Sequence, residues 1–383
     1  MKFYFKVFPF KKPTCDRFFE GKNIILNSSA FILISLFSGA IFAQEKPFKT
    51  IDLQTAIAQT INMNPELTPF AIKANVYKGY AQQAGVQSRP QIGFSVEDAL
   101  GTGEQSGFKS AESTLSISWL LDGQLARERM IAAEANGSTV ILERDIKTLD
   151  LAAQTARYFI QVLANKERLQ LAELSLKQAN NSLKVVTKQV RVGKSPLVDK
   201  LKSQAEVAKR ELIVDDLIHE VEASKHQLLA QWQGNPQDKN SKVVGALLSL
   251  PALSDFDSLF TQLKRAPSVT LFATKRRIAQ SEVELARFET KPLWQFSTGV
   301  RRYEATDDFG LVAQISVPLG RASQNEGKIK ALRASQNQLE AESLALVHQL
   351  HTHLYVLLEQ MKHSQHVIDS STNKVIPLLK QAF

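Results

Sequence analysis

The sequence predicts a mainly α-helical protein with transmembrane β-strands, in which long antiparallel coiled-coil helices are joined to two β-hairpins. Three observations predict this class: an internal repeat, four short segments of alternating apolar and polar residues, and long helical segments without proline. The 383-residue chain is 44% hydrophobic and 22% charged, a globular composition that excludes a multi-span helical membrane protein and a disordered chain. Of the net charge of +9, residues 1–43 carry +4, and the remaining +5 is spread along the chain, so no nucleic-acid partner is predicted.

Residues 1–43 are predicted to be a secretory signal peptide. Basic residues precede an apolar segment from Ile24 to Phe42, and Ala40 and Ala43 are suitable residues before a cleavage site. An N-terminal anchor helix is the alternative, but the apolar core is short for a membrane span. The single cysteine, Cys15, lies in this leader, so the mature chain is predicted to have no disulfide and no cysteine metal site.

The rest of the chain is predicted to be two structural repeats. Asn64-Pro65 matches Ala266-Pro267, and Pro90 matches Pro292, both 202 residues apart. Residues 116–118 match residues 314–316 at a separation of 198. The predicted boundaries are 44–234 for the first repeat, 235–257 for a connector and 258–383 for the second repeat.

Each repeat contains a predicted β-hairpin, at 91–121 and 292–319. The predicted strands are 91–100, 111–121, 292–301 and 310–319, each about as long as a tilted transmembrane strand. Their alternation predicts one apolar face, which would contact lipid if the strands form a barrel. The alternative is a soluble sandwich, in which the same face would contact the core. Four strands are too few to close a barrel, so an oligomer is expected. The predicted lipid-facing residues are Ile92, Phe94, Leu115, Ile117, Trp294, Phe296 and Ile315.

The helical segments are predicted to form an antiparallel hairpin. A first helix is predicted from about Asp52 to Gln87, and a single long helix from about Gln124 to Val192. The turn at 193–196 combines a capping glycine with Ser-Pro, and a return helix follows to about Gln233. Coiled-coil spacing predicts two seams, one at Leu149, Ala153, Ala156, Ile160 and Leu163, the other at Leu201, Ala205, Ala208 and Leu212.

No motif in the sequence predicts catalysis or a bound cofactor. Gly193-Lys194-Ser195 is similar to the end of a phosphate-binding loop, but Lys188 stands where that loop needs glycine. Four histidines form pairs at helical spacing, which makes them weak metal candidates, although a good site needs three or four ligands. The alternative is that they are solvated or lie between helices. These residues are His348, His351, His363 and His366.

Two segments resemble the TolC family of outer-membrane efflux proteins. The stretch from Ile51 to Ile57, followed by Asn64-Pro65-Glu66-Leu67, resembles that family's opening signature, and Arg191–Pro196 resembles its first periplasmic turn. The Gly-Lys-Ser-Pro turn and Gln231–Gly234 are most similar to the outer-membrane component of cobalt–zinc–cadmium (heavy-metal) resistance pumps. The resemblance spans about residues 48 to 380.

The resemblance implies a homotrimer in the outer membrane of a Gram-negative bacterium, with a periplasmic extension. Each chain would give four strands to a shared barrel in outer-membrane lipid, and the helices would form a passive duct. The partners would be a periplasmic adaptor (membrane fusion) protein and an inner-membrane pump, with heavy-metal cations as one substrate class. A periplasmic or surface coiled-coil structural protein, such as an adhesin stalk, is the alternative from another class.

The resemblance also implies a role for the turn between the long helices. Arg191, Gly193, Lys194 and Ser195 would lie at the periplasmic end and contact the adaptor, whereas the alternative is that they only cap and solvate the turn.

The last expectation concerns the second repeat. Its turn is expected near residue 391, so the chain is predicted to be truncated at its C-terminus and to lack the second return helix. Part of the apolar stripe on the final helix, from about Gln324, should then be exposed. This stripe includes Ile329, Leu332, Leu339, Leu346, Leu350, Leu354 and Leu357.

Overall fold

The computed structural model describes residues 49–235, 241–247, 252–319 and 324–382. All the described elements belong to one compact unit, Pro47–Phe383. The predicted signal peptide lies outside the described residues. Within them, no helix is both long enough and apolar enough to cross a membrane.

The described chain contains nine α-helices and six β-strands. The helices are α1 Leu53–Met63, α2 Thr68–Ala84, α3 Gly123–Gly137, α4 Thr139–Arg191, α5 Leu197–Ala230, α6 Phe256–Leu263, α7 Pro267–Phe288, α8 Glu326–Ser370 and α9 Ile376–Ala382. The strands are β1 Lys49–Ile51, β2 Gln91–Glu97, β3 Glu112–Leu121, β4 Ser241–Val243, β5 Trp294–Tyr303 and β6 Asp308–Ser316.

The prediction of one helix from Asp52 to Gln87 is wrong, because two helices occupy this segment. Asn64 has extended backbone angles, and Pro65 begins a short 3₁₀ turn that leads into α2. Proline disfavours a helical conformation in the residue before it, which ends α1 at Met63. The Asn64 side chain stabilises the break, because its oxygen accepts a hydrogen bond from the Glu66 amide and its Nδ2 donates to the Gln231 carbonyl.

The long helix predicted from Gln124 to Val192 is also divided, into α3 and α4. The division falls at Gly137 and Ser138, where the Ser138 hydroxyl donates to the Ala135 carbonyl and competes with the helical bonding pattern. Helix α2 packs closely here, since a Cβ on Gly137 would lie 3.1 Å from Cβ of Tyr77. Helix α4 alone has 53 residues and is about 80 Å long at 1.5 Å per residue.

Helices α4 and α5 form the predicted antiparallel hairpin, but both predicted seams lie on the wrong face. Leu149, Ile160, Leu201 and Leu212 are exposed, and of the residues predicted for the two seams only Leu163 is buried. The buried positions on α4 include Leu151, Thr155, Phe159 and Val162. On α5 the buried or half-buried positions recur at alternating spacings of three and four, at 207, 210, 214, 217, 221, 224 and 228.

A small apolar core joins the start of the chain to the end of α5. Its centre contains Ala56 of α1, Val162 of α4 and Leu228 of α5, all with no exposed surface. Strands β1 and β4 pair in parallel beside it, and Lys166 Nζ donates to the Val243 carbonyl. Burial lowers the pKa of Lys166, and the nearby Lys225 and Lys242 lower it further. Each of these strands has only three residues, too few for the sequence to predict the pair.

Strands β2, β3, β5 and β6 form one antiparallel sheet in that order. The strands lie within a few residues of the predicted segments, but β2 ends at Glu97 rather than at residue 100. Asp98 and Leu100 adopt left-handed backbone angles, with φ of 51° and 61°, which turn the chain out of the strand. Strand β6 ends at Ser316, two residues before Pro318, because proline cannot donate to a strand ladder.

Helices α7 and α8 pack together in the second half of the chain, and α7 also packs on α3 and α4. The apolar stripe predicted on α8 is half-buried from Ile329 to Leu354, and Leu357 is exposed. Leu357 is thus the exposed part of the named stripe, and Met361 and Val367 beyond it are exposed as well.

Candidate functional site

The four-stranded sheet has one face that is almost entirely apolar. Residues paired across a sheet lie on the same face, and one row across all four strands reads Phe94, Leu115, Val300 and Leu311. A second row contains Trp119, Phe296 and Ile315. All seven residues predicted to contact lipid lie on this face, and all except Ile117 and Phe296 are exposed.

Aromatic residues lie toward both ends of the apolar face. At the end where the strands meet the helices, the rings of Trp294 and Phe296 are stacked with their centres 6.4 Å apart. At the end with the hairpin loops, the Arg302 guanidinium lies 6.0 Å from the centre of the Phe309 ring. Aromatic residues at two levels are typical of strands that cross a membrane.

The opposite face of the sheet is polar. One row reads Gln91, Ser118, Ser297 and Gln314, and another contains Glu97, Glu112, Tyr303 and Asp308. With polar residues on one face and apolar residues on the other, this sheet is suited to separate lipid from water.

An ion-pair cluster crosses three strands on the polar face. Arg301 of β5 lies 2.5 Å from Glu112 Oε2 of β3 and 3.0 Å from Glu97 Oε2 of β2. Its Nε also donates to the Thr114 hydroxyl at 2.9 Å. The Arg301 side chain is only 23% exposed, so its charge is satisfied mainly by these three partners. The cluster therefore connects the two hairpins.

Replacing Arg301 by alanine should destabilise the sheet. Two glutamates would lose their cation, and losing hydrogen bonds to charged groups costs about 1.5–3 kcal/mol. Thermal unfolding of the purified protein in detergent, followed by the gel mobility of heated samples, measures the loss. Arg302→Ala is the matched control, since its ion pairs with Glu304 and Asp307 are more exposed and such pairs contribute about 0–1 kcal/mol. Equal effects of the two substitutions would contradict this role of Arg301.

The turn between α4 and α5 has the geometry of a Schellman cap. The Lys194 amide donates to the Gln189 carbonyl at 2.8 Å, and the Gly193 amide donates to the Val190 carbonyl at 3.1 Å. Gly193 has φ of +73°, which confirms the positive φ expected from its capping position. Lys188 and Arg191 lie in the last turn of α4, where positive charge favours the helix dipole.

Replacing Gly193 by valine should loosen this turn. A β-branched residue at positive φ costs about 1–2 kcal/mol, which corresponds to roughly tenfold faster local opening. Hydrogen exchange of the amides at 193 and 194 reports that opening. Gly193→Asn is the matched control, because asparagine tolerates this conformation better. If valine and asparagine give the same exchange rates, the positive φ is not what stabilises the turn.

The histidines of α8 do not gather into a metal site. Within the described ranges, no group of three or more histidine, cysteine, aspartate or glutamate residues is arranged to hold a metal ion. The His351 ring instead packs edge-on against Phe256 and Phe260 of α6, with ring centres 5.0 and 4.9 Å apart. For His351, the structure favours the packing alternative over the weak metal role.

The junction between the first hairpin and α3 contains a buried carboxylate that no motif in the sequence predicts. Asp122 is 3% exposed, and its Oδ2 accepts hydrogen bonds from the amide and the hydroxyl of Ser88. These bonds connect the segment before β2 to the residue after β3. The only signal in the sequence is an aspartate at the start of α3, and it does not identify Ser88 as the partner.

Comparison with known proteins agrees with this fold. Residues 56–230 match the family model for outer membrane efflux proteins. This part of the chain is therefore similar to that family.

One similar protein is the nickel-cobalt-cadmium resistance protein NccC of Alcaligenes xylosoxydans xylosoxydans. It is 24% identical over 318 residues, which cover 82% of this chain and 70% of NccC.

Two solved structures share the fold. A crystal structure of CusC, described in terms of transmembrane channel formation, has a TM-score of 0.62 at 15% identity and covers 89% of this chain and 82% of CusC. The outer membrane protein VceC of Vibrio cholerae has a TM-score of 0.61 at 16% identity, covering 86% of this chain and 83% of VceC.

Proposed function

We propose that the chain is one protomer of a homotrimeric duct in a tripartite efflux or secretion system. Each protomer would contribute β2, β3, β5 and β6 to a shared barrel, and the long helices would extend into the periplasm. The observation that carries the proposal is the strand register, which collects the apolar residues on one face and the polar residues on the other.

The edges of the sheet support assembly with further copies. Strands β2 and β6 are the edge strands of the described sheet. Unpaired strand edges are not tolerated in lipid, so β6 of one copy would pair with β2 of the next. The strands alternate in direction, which makes this new pair antiparallel like the other three. A ring closed in this way has no free edge.

The helix packing supports the same order of assembly. Within one chain, α7 packs on α3 and α4. By the predicted repeat, α7 corresponds to α2 and α8 corresponds to α3 and α4. The α2 helix of the next copy would then pack on α8. Helix α2 has an exposed apolar face for this contact, formed by Ile72, Val76 and Tyr80.

Heavy-metal cations are the proposed substrate class, supported by the similarity to NccC. The duct itself would be passive, with an inner-membrane pump supplying energy and an adaptor connecting the two. The test is survival of a strain lacking this gene, with and without the intact chain, on nickel, cobalt, cadmium and unrelated drugs. Restored survival on the metals alone supports the proposal. Restored survival on drugs alone would contradict the substrate class, and a chain absent from outer-membrane fractions would contradict the duct and favour a structural coiled coil.

The turn at 191–195 is the proposed adaptor contact. Backbone hydrogen bonds within the turn hold its conformation. The side chains of Arg191, Lys194 and Ser195 are therefore not needed for the cap and lie at the surface. Ser195 makes only a weak contact with Gln189, at 3.3 Å. Cross-linking to the adaptor from Lys194→Cys should succeed, whereas cross-linking from Gln91→Cys on the sheet should not. If changes at all four turn positions leave cross-linking and efflux intact, the contact is elsewhere.

A further inference from the structure

An apolar groove lies between α2 and α4, beside the break after α1. Its lining includes Phe70 and Ala74 of α2 and Val140 and Ile141 of α4, and its volume is about 440 Å³, within the range of small-molecule sites. Arg144 of α4 also lines the groove and supplies its positive charge. We propose that the groove binds a small apolar molecule with a carboxylate, and that Arg144 is the cation that pairs with this carboxylate.

The Arg144 guanidinium has no anion of its own. Within the described ranges, its side chain forms no hydrogen bond and no ion pair. The two nearest acidic residues in the neighbouring ion pairs are already neutralised, Glu143 by Lys73 at 2.6 Å and Glu66 by Lys147 at 2.5 Å. Because the fork of a guanidinium matches the two oxygens of a carboxylate, a carboxylate ligand is the partner that suits it best.

The internal repeat contains a second helix pair of the same kind, formed by α7 and α8. Residues 68–71 of α2 match residues 270–273 of α7, 202 positions later, with Thr, Phe and Ala at the same places. By this offset Ala74 corresponds to Arg276, and Arg276 pairs with Glu340 of α8 at 3.4 Å. The second repeat therefore has an ion pair between its two helices at this place.

The first repeat is apolar at the corresponding place. Ala74 carries only a methyl group, and Val140 and Ile141 line the α4 side of the groove. The cation lies further along α4, as Arg144, without the carboxylate that its counterpart in the second repeat has. A ligand with an apolar body and one carboxylate would fill the groove and neutralise this cation.

The second repeat also shows that this face stays accessible when neighbouring helices pack. Helix α7 packs on α3, α4 and α8, yet Ala273, Arg276 and Glu340 are exposed. By the repeat, the matching face of α2 would stay accessible beside a further copy of the chain. This favours a small molecule over a second copy as the occupant of the groove.

The test uses 4-benzoylbenzoate, a photoreactive apolar carboxylate, on the purified chain in a non-ionic detergent. Labelling should saturate and map to residues 61–74 and 140–144, which contain the lining. Arg144→Gln should weaken the apparent affinity about tenfold, which corresponds to about 1.4 kcal/mol. Lys147→Gln is the matched control and should change nothing, because Lys147 carries the same charge on α4 but pairs with Glu66 outside the groove lining.

A second variant supplies the missing carboxylate from the chain itself. Ile141→Glu places it three residues before Arg144, a spacing at which helical side chains pair, so labelling should be lost. The neutral analogue 4-methylbenzophenone should label the unsubstituted chain and Arg144→Gln equally. Thermal unfolding verifies that each variant keeps the fold. Equal affinity of the unsubstituted chain and Arg144→Gln for the carboxylate, or no labelling of the unsubstituted chain, would overturn the inference.

A cross-linking experiment distinguishes the other occupant. Ile141→Cys in a Cys15→Ser background has its thiol in the groove. Disulfide-linked copies formed through this thiol would assign the groove to a second copy and overturn the inference, whereas a thiol that stays monomeric and is protected by 4-benzoylbenzoate supports it. The inference does not depend on the proposed transport function, because it concerns a groove within a single chain.

Discussion

Replacing Leu115 by arginine is expected to prevent insertion of the chain into the outer membrane. Leu115 lies in the central row of the apolar face, between Phe94 and Val300, and is 58% exposed in the single chain. An arginine facing lipid near the middle of a barrel costs about 2–4 kcal/mol, and a trimer would carry three copies. The measurement is the amount of heat-resistant protein in outer-membrane fractions.

Ser118 provides the matched control for this experiment. It lies three residues further along the same strand but on the polar face, paired with Gln91 and Ser297. Ser118→Arg should leave most of the protein in the membrane fraction, because the new charge would face water. If the two arginines have equal effects, the apolar face is not the one in contact with lipid.

Replacing Leu228 by alanine is expected to be the most destabilising of the aliphatic truncations on α5. Leu228 has no exposed surface and lies between α1, α4 and Trp232 in the core. The truncation leaves a cavity in the core, which should lower the free energy of unfolding by about 2–5 kcal/mol. Thermal unfolding of the purified protein in detergent is the measurement.

Leu212→Ala is the control on the same helix. Leu212 belongs to the seam that coiled-coil spacing predicted, but it is 64% exposed. Its truncation should lower the free energy of unfolding of the isolated protomer by less than about 1 kcal/mol, because an exposed side chain leaves no cavity when it is removed. A larger loss at Leu212 than at Leu228 would mean that the predicted seam, not the observed one, holds α5 against α4.

The strands were the part of the fold that the sequence predicted best. Alternation at Ile92, Phe94, Leu115 and Ile117 has a period that only a strand satisfies, so the hairpins were found within a few residues of their observed ends. The ends of the strands were predicted less accurately, because glycine and proline do not stand at every strand end. The left-handed residue Asp98, for example, ends β2 without a glycine.

The helix seams could not be predicted from spacing alone. Helix α5 has two apolar stripes, and both satisfy a heptad pattern. Only the three-dimensional structure shows that Val207 and Leu217 face α4, whereas Leu201 and Leu212 do not. The predicted seam was therefore a real apolar stripe assigned to the wrong neighbour.

Contacts between segments that are far apart in the sequence could not be predicted either. The three-residue strands β1 and β4 are too short to give a period, and their pairing depends on Lys166 and on the core beside it. The Arg301 cluster likewise needs three strands in the correct register before its charges meet. The role of Lys194 and Ser195 in binding an adaptor remains a prediction, supported by the resemblance and by the accessible turn.

The most direct test of the account is the environment of each residue along β3 in a lipid bilayer. Single cysteines at positions 113–120, in a Cys15→Ser background, carry a nitroxide label in the reconstituted protein. Oxygen accessibility should rise and fall with a period of two, with maxima at 113, 115, 117 and 119 and low values between them. Accessibility to a water-soluble nickel complex should follow the opposite pattern. Uniform accessibility to the nickel complex at all positions, or maxima for oxygen at 114, 116 and 118, would contradict a membrane-spanning sheet with Leu115 facing lipid.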